Sequence, residues 1–194
     1  MERAITLPER SLTLPRVMAV ILGAVFVAAA AQVAVPLPGT PVPMTLQPLA
    51  VLLVGGLLGA RLGAASMVLY LAFGIAGLPV FTPTVPLFGI ARLLGPTGGY
   101  LLAYPVAAWV VGWLTDPGRK PGVSQPNWLR VGLGAFAGLA LIHLGGLAQL
   151  LILTGDLSAA ARLGTLPFLL GDLGKLAIAT GVLAKLTPAV RARL

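Results

Sequence analysis

The stretch LQPLAVLLVGGLLGARLGAASMVLYLAFGIAG, residues 46–77, carries a single charged side chain, Arg61, in an otherwise apolar and small-residue run. As one continuous helix it would hold that guanidinium deep in hydrocarbon, at a cost of roughly 3 kcal/mol or more. As two helices meeting near Arg61, it sets the charge at a membrane–water interface. The second reading predicts two short spans, Leu46–Ala60 and Leu62–Gly77. Each falls below the roughly 20 apolar residues that cross a bilayer, so tilting or local thinning of the membrane accompanies them.

Composition places the whole chain in the same solvent. Of 194 residues, 58% are hydrophobic and only 9% charged, against about 25% charged in soluble domains. Mean hydropathy is +0.99. The predicted class is an all-α integral membrane protein, with residues 1–194 forming one six-helix domain. The remaining spans are Val17–Val35, Thr97–Thr115, Val131–Leu153 and Pro167–Leu183. Residues 78–96, broken by four prolines, read as a loop, and Asp116–Trp128 reads as an aqueous linker. No cleavable signal peptide and no internal repeat are expected.

Charge then orients the bundle. The net charge is +8, which raises the possibility of nucleic-acid binding, but the cations are distributed by topology. With the N-terminus inside, Arg3, Arg10, Arg16, Arg61, Arg119, Lys120, Arg130, Lys185, Arg191 and Arg193 fall on the inner side. Only Arg92 and Arg162 fall outside, and Lys175 lies within a span. The positive-inside rule therefore predicts an N-in/C-in protein of the cytoplasmic membrane. Without cysteine there is no disulfide or thiolate metal site, and one histidine does not build a metal centre.

The last span, PFLLGDLGKLAIATGVL (residues 167–183), holds two charges three positions apart. That spacing sets Asp172 and Lys175 on one helix face. At about 1.5 Å per residue they lie roughly 8 and 12 Å below the outer start of the helix, where Thr165 and Pro167 are the expected cap and first-turn residues. Charges inside a membrane usually line a cavity or pathway, although a structural ion pair between helices is the simpler alternative. Arg92, Tyr100 of GPTGGY (95–100), and Thr45 and Gln47 of PVPMTLQP (41–48) converge on the same outer side. Together they describe an apolar pocket with a few polar groups. His143, in the fifth span, is expected to be packed or hydrogen-bonded within the bundle. GDLGKL (171–176) lacks the spacer and hydroxyl of a phosphate-binding loop, and no nucleophile has a recognisable partner arrangement, so no enzyme is expected. Small-residue pairs at spacing four, Ala24/Ala28, Gly55/Gly59 and Gly134/Gly138, suit close helix packing within the chain or against a partner.

Four blocks in order, PVPMTLQPLAVLLVGGLLGARLGA, GLPVF, GPTGGYLLAYP and PFLLGDLGKLAIA, resemble the BioY family. These are biotin-binding S components of energy-coupling-factor (ECF) transporters. The resemblance implies six helices, a biotin pocket near the outer face, and a transmembrane coupling protein with two ATPase subunits as partners. Biotin would be the transported ligand, with no cofactor. Carried over, the family's binding Asp and Lys fall on Asp172 and Lys175, its arginine on Arg92, and its partner-facing small pair on Ala24 and Ala28. Tyr100, Thr45, Gln47 and Gln149 complete the expected binding set. The chain departs from the family at PTVPLFGIAR (83–92), commonly glycine-rich, and near Gln149, where an aromatic is common. A self-sufficient secondary transporter with Asp172 as proton relay, an intramembrane enzyme and a ligand-free assembly factor are the competing readings.

Overall fold

Gly59 divides the 46–77 stretch, with a φ of 86° that a side-chain-bearing residue rarely adopts. In the computed structural model, which describes residues 13–116 and 127–193, helix α2 (Gln47–Leu58) ends there and α3 (Ala60–Ile75) begins. The turn comes two residues before Arg61 because only the glycine can supply the reversal. Arg61 stays exposed on the first turn of α3, as the interface argument requires. Arg3, Arg10, Arg119 and Lys120, and most of the 116–128 linker, lie outside the described residues.

The other long helices are α1 (Leu14–Gln32), α5 (Gly98–Leu114), α6 (Trp128–Thr154) and α8 (Leu169–Arg191). Short helices α4 (Ile90–Leu94) and α7 (Leu157–Gly164), with a 3₁₀ turn at Leu166–Phe168, lie between them. Among the described residues, three segments are long and apolar enough to cross a membrane: Leu14–Gln32, Trp128–Thr154 and Leu157–Arg191. Helices α2, α3 and α5 are apolar but shorter. Large side chains such as Leu22, Phe26, Ile152 and Leu170 point outward, the last 85% exposed. An apolar exterior around an apolar core is what lipid selects and water does not.

Helix α2 is the axis of the bundle, contacting α1, α3, α5, α6 and α8. Seven of its 12 residues are buried, Gln47 among them. Backbone-to-backbone approach makes this possible: a Cβ on Gly55 would meet the Ala108 backbone, and one on Gly112 the Ala60 backbone. These contacts hold α5 against the α2–α3 turn.

Several expectations need correction. The first helix stops at Gln32 rather than Val35, because Ala34 and Val35 pair antiparallel with Thr45 and Met44 as strands β1 (Ala34–Val35) and β2 (Met44–Thr45). This clip closes the Pro-rich segment into a hairpin over one end of the bundle. The loop after α3 contains a turn of helix, α4, and the segment before α8 contains α7, whose Asp156 caps it through Ser158 N at 2.8 Å. The last helix runs on to Arg191. There Arg191 donates to the carbonyls of Gly56 (2.6 Å) and Gly112 (3.1 Å). Those carbonyls sit at helix C-termini, which lack intrahelical donors and favour cations. Finally, Ala24 is fully buried and belongs to the core, with Ala28 packed partly against it. Neighbouring Gly23 abuts Ser66 and Val54. Ala24 thus serves packing within the chain, while Ala28, one turn on, stays half-buried.

Candidate functional site

At the end of the bundle that carries the β1–β2 hairpin, α4 and α7, a cavity opens between helices α2, α4, α5, α6 and α8 and the segments that join them. Its polar lining comes from Thr45 and Gln47, Thr82 and Arg92, Thr97, His143, and Asp172 with Lys175. Phe81, Tyr100, Tyr104, Ile142 and Phe168 supply apolar and aromatic walls. Six of the expected binding residues, Asp172, Lys175, Arg92, Tyr100, Thr45 and Gln47, are therefore brought together.

Asp172 and Lys175 face the cavity from the first and second turns of α8 and are nearly fully buried. Lys175 Nζ donates to Asp172 Oδ1 at 2.8 Å. Asp172 Oδ2 lies 2.7 Å from His143 Nε2 of α6. A buried carboxylate unpaired in an apolar bundle would cost several kcal/mol; two donors, one per oxygen, remove that penalty. A carboxylate oxygen still has a second lone pair, so each can accept again.

Arg92 reaches the cavity differently. It is 1% exposed and no acidic side chain pairs with it among the described residues. Its Nη1 and Nη2 donate to the carbonyls of Val85 and Thr82, and the Phe81 ring lies 6.0 Å from the guanidinium carbon. Burial lowers its pKa from the ordinary arginine value, but a guanidinium starts so high that it remains cationic. Its Nε and the hydroxyl of Thr97, at the N-terminus of α5, are buried without hydrogen-bond partners. The cavity thus holds a compensated acid–base cluster on its α6–α8 side. On its α4–α5 side it holds an uncompensated cation beside a helix N-terminus, where anions are favoured.

The remaining groups set the frame. Gln47 Nε2 donates to the Tyr70 hydroxyl at 2.7 Å, and Thr45 Oγ1 lies 3.3 Å from Gln47 Oε1. Tyr100 presents its ring to the cavity, while its hydroxyl donates to the Gly164 carbonyl at the end of α7. Gly146 leaves room for that ring: a Cβ there would overlap it. Thr165 does not act as a cap; its hydroxyl is buried without a partner.

Gln149 does not line the cavity. Six residues beyond His143 on α6, about 9 Å along the axis, its amide donates to the Leu94 carbonyl at 3.1 Å and fastens the α4–α5 corner. Conversely, His143, Thr82 and Thr97 belong to the cavity and were not among the expected binding residues. The sequence offers only one signal for His143, a titratable side chain mid-way along an apolar span. Thr97 stood within GPTGGY, where the glycines and tyrosine drew the reading. Among the described residues, no group of three His, Cys, Asp or Glu side chains could hold a metal ion.

Comparison with known proteins agrees with this architecture. A family model described as the BioY family matches residues 5–192. The chain is 37% identical to the probable biotin transporter BioY of Pyrococcus horikoshii, over 75% of this chain and 81% of that one. It is 35% identical to the biotin transporter BioY of Thermotoga maritima, over 77% and 83%. To the biotin transporter BioY of Rhodobacter capsulatus it is 35% identical over 91% and 92%. Its fold superposes on the crystal structure of the S-component for biotin from an ECF-type ABC transporter with a TM-score of 0.77, covering 93% of this chain and 91% of that one at 24% identity. With a family match over nearly its whole length, and relatives this similar along most of it, the chain belongs to the BioY family.

Proposed function

We propose that this protein binds biotin and carries it into the cell as the substrate-specific membrane subunit of an ECF-type transporter. The observation that carries the reading is the chemical asymmetry of the cavity. Biotin has a neutral cyclic urea, with two N–H donors and one carbonyl, and a tail ending in a carboxylate. The charge-balanced side suits the urea: Asp172 accepts from a ureido N–H and Lys175 donates to the carbonyl. The Arg92 side suits the tail, whose carboxylate takes the Nε donor and the Thr97 hydroxyl that are otherwise unpartnered. Phe81, Tyr104 and Phe168 cover the thioether ring and the methylenes. The names of the relatives, biotin transporter BioY, support the same ligand.

The six long helices cross the cytoplasmic membrane with both termini inside. Among the described residues, Arg16, Arg61, Arg130, Lys185 and Arg193 belong to the end away from the cavity and Arg92 and Arg162 to the cavity end, which supports this orientation. The cavity then faces the outside. The chain is a carrier and performs no chemistry on its ligand. Accumulating a scarce vitamin requires work, and the described helices contain no nucleotide site. A transmembrane coupling protein with two ATPase subunits supplies that work, in keeping with the ECF-type context of the structural neighbour.

The test is equilibrium binding of labelled biotin to the purified chain, with thiamine and riboflavin as competitors. Retention of biotin that neither competitor displaces is the expected result. No retention, or displacement by either vitamin, refutes the reading.

A further inference from the structure

His143 is the chain's one histidine. It sits mid-way along α6, 15% exposed in its side chain, against Asp172 of α8. An ionised carboxylate only accepts hydrogen bonds, so a 2.7 Å contact with Asp172 Oδ2 requires the proton on His143 Nε2. Nδ1 is then left with no hydrogen-bond partner, buried in the wall. The Tyr100 ring meets the imidazole edge-on at 6.3 Å between centroids and limits its rotation. His143 and Asp172 line both the polar cavity and a second, apolar groove between α6 and α8 whose walls include Phe136, Leu144 and Leu173. The imidazole therefore stands where the carboxylate would otherwise be free to swing toward the groove.

We infer that His143 is a positioning residue of the binding site, acting through Asp172. Resting on the biotin reading above, this assigns it a role distinct from touching the ligand. Lys175 alone can pair with the carboxylate in several rotamers, including a two-oxygen embrace that occupies the lone pairs the ligand needs. A donor arriving from a different helix fixes the second oxygen, and the carboxylate plane with it. Each oxygen is then left with one lone pair for a ureido N–H. Asp172 is set by α6 and α8 jointly, so the packing of those two helices is coupled to the shape of the site.

The experiment uses the full chain, purified through a tag without histidine. Biotin affinity and thermal unfolding are measured for wild type, H143L, H143Q, H143N, D172N and the D172N/H143L pair. Leucine keeps the bulk and removes the donor; glutamine reaches about as far as Nε2; asparagine is too short. H143L should bind biotin roughly tenfold more weakly, as for one hydrogen bond to a charged group. H143Q should recover most of the loss and H143N should not. D172N/H143L should bind no more weakly than D172N, because the two act as one unit. In the ¹⁵N spectrum of the single imidazole, Nε2 should carry the proton, and D172N should shift that signal. Wild-type affinity in H143L, equal rescue by asparagine and glutamine, additive losses in the pair, or a proton on Nδ1 instead of Nε2 each overturn the inference. A wild-type chain that retains no biotin overturns the functional reading and this inference with it. Wild-type binding with an indifferent H143L overturns the inference alone.

Discussion

Replacing Asp172 by asparagine separates what the acid–base cluster does for the fold from what it does for the ligand. Asp172 is 4% exposed and accepts from Lys175 at 2.8 Å and from His143 at 2.7 Å. An asparagine there keeps one accepting oxygen and turns the other position into a donor, which then confronts either the ammonium or the imidazole N–H. Leaving the buried Lys175 without a counter-charge should destabilise the empty protein by about 3–5 kcal/mol. Biotin binding should weaken by an additional 1.5–3 kcal/mol or so, the worth of a hydrogen bond to a charged acceptor. The decisive variant is D172N/K175M. Removing both charges from an apolar site is close to neutral for stability, so unfolding should return near the wild-type temperature while biotin affinity stays lost. Thermal unfolding in detergent and calorimetric titration read the two quantities independently. Wild-type affinity in D172N would reduce the pair to a structural bridge. Failure of D172N/K175M to regain stability would show that the desolvation reasoning is wrong.

Arg92→Lys keeps a charge but not the fork that holds the Thr82 and Val85 carbonyls while leaving Nε free. It should weaken biotin by about 1.5–3 kcal/mol and biotin amide, whose tail is uncharged, far less; equal losses would remove the tail carboxylate from Arg92. Gly146→Ala should destabilise the chain by about 1–3 kcal/mol and weaken biotin, because the new methyl overlaps the Tyr100 ring; unchanged unfolding would mean that the α5–α6 contact is looser than described. For topology, cysteines replacing the exposed Thr84 and Ser158 should react with an impermeant reagent in intact cells, and one replacing the exposed Ala192 should not. Labelling at Ala192 would invert the bundle.

Much of the fold was legible because its signals are local. A charge in an apolar run demanded a turn, and Gly59 supplied one two residues from Arg61. Helix α5 (Gly98–Leu114) lies within one residue of the expected span at each end, since GPTGGY marks its start and Asp116 its stop. The errors arose where the sequence pattern has more than one physical solution. Val33–Val35 continues an apolar run, but its backbone bonds to a hairpin partner instead of a helix. The Ala24/Ala28 spacing states that something approaches α1 closely without saying what. Within this chain α1 meets α2 and α3, and Ala24 is buried in the core while Ala28 is only partly covered.

The candidate site was legible only on the elements that carry it whole. Asp172 and Lys175 share one helix face, so spacing alone joined them. Partners on other helices leave no such trace: His143 meets Asp172 across 29 residues, Tyr100 meets Gly164 across 64, and Arg191 meets Gly56 across 135. These three contacts share a physical cause. In an apolar bundle every polar group must find a partner within the protein, so each buried charge or carbonyl recruits whichever helix comes nearest. Gln149 obeyed the same demand when it turned to the Leu94 carbonyl and left the cavity. Arg92 answers it only in part. Loop carbonyls take its two terminal nitrogens, yet among the described residues its charge has no acid and its Nε has no acceptor. A group kept this short of compensation in so dry a place is costly unless something else completes it, and an anionic ligand is what its chemistry admits. Arg191 at the opposite end also keeps a bare Nε, but Asp116 stands 3.4 Å from its guanidinium. The counter-charge that Arg92 lacks among the described residues, more than the charge pair that first draws the eye in the last helix, is what favours reading this cavity as a binding site.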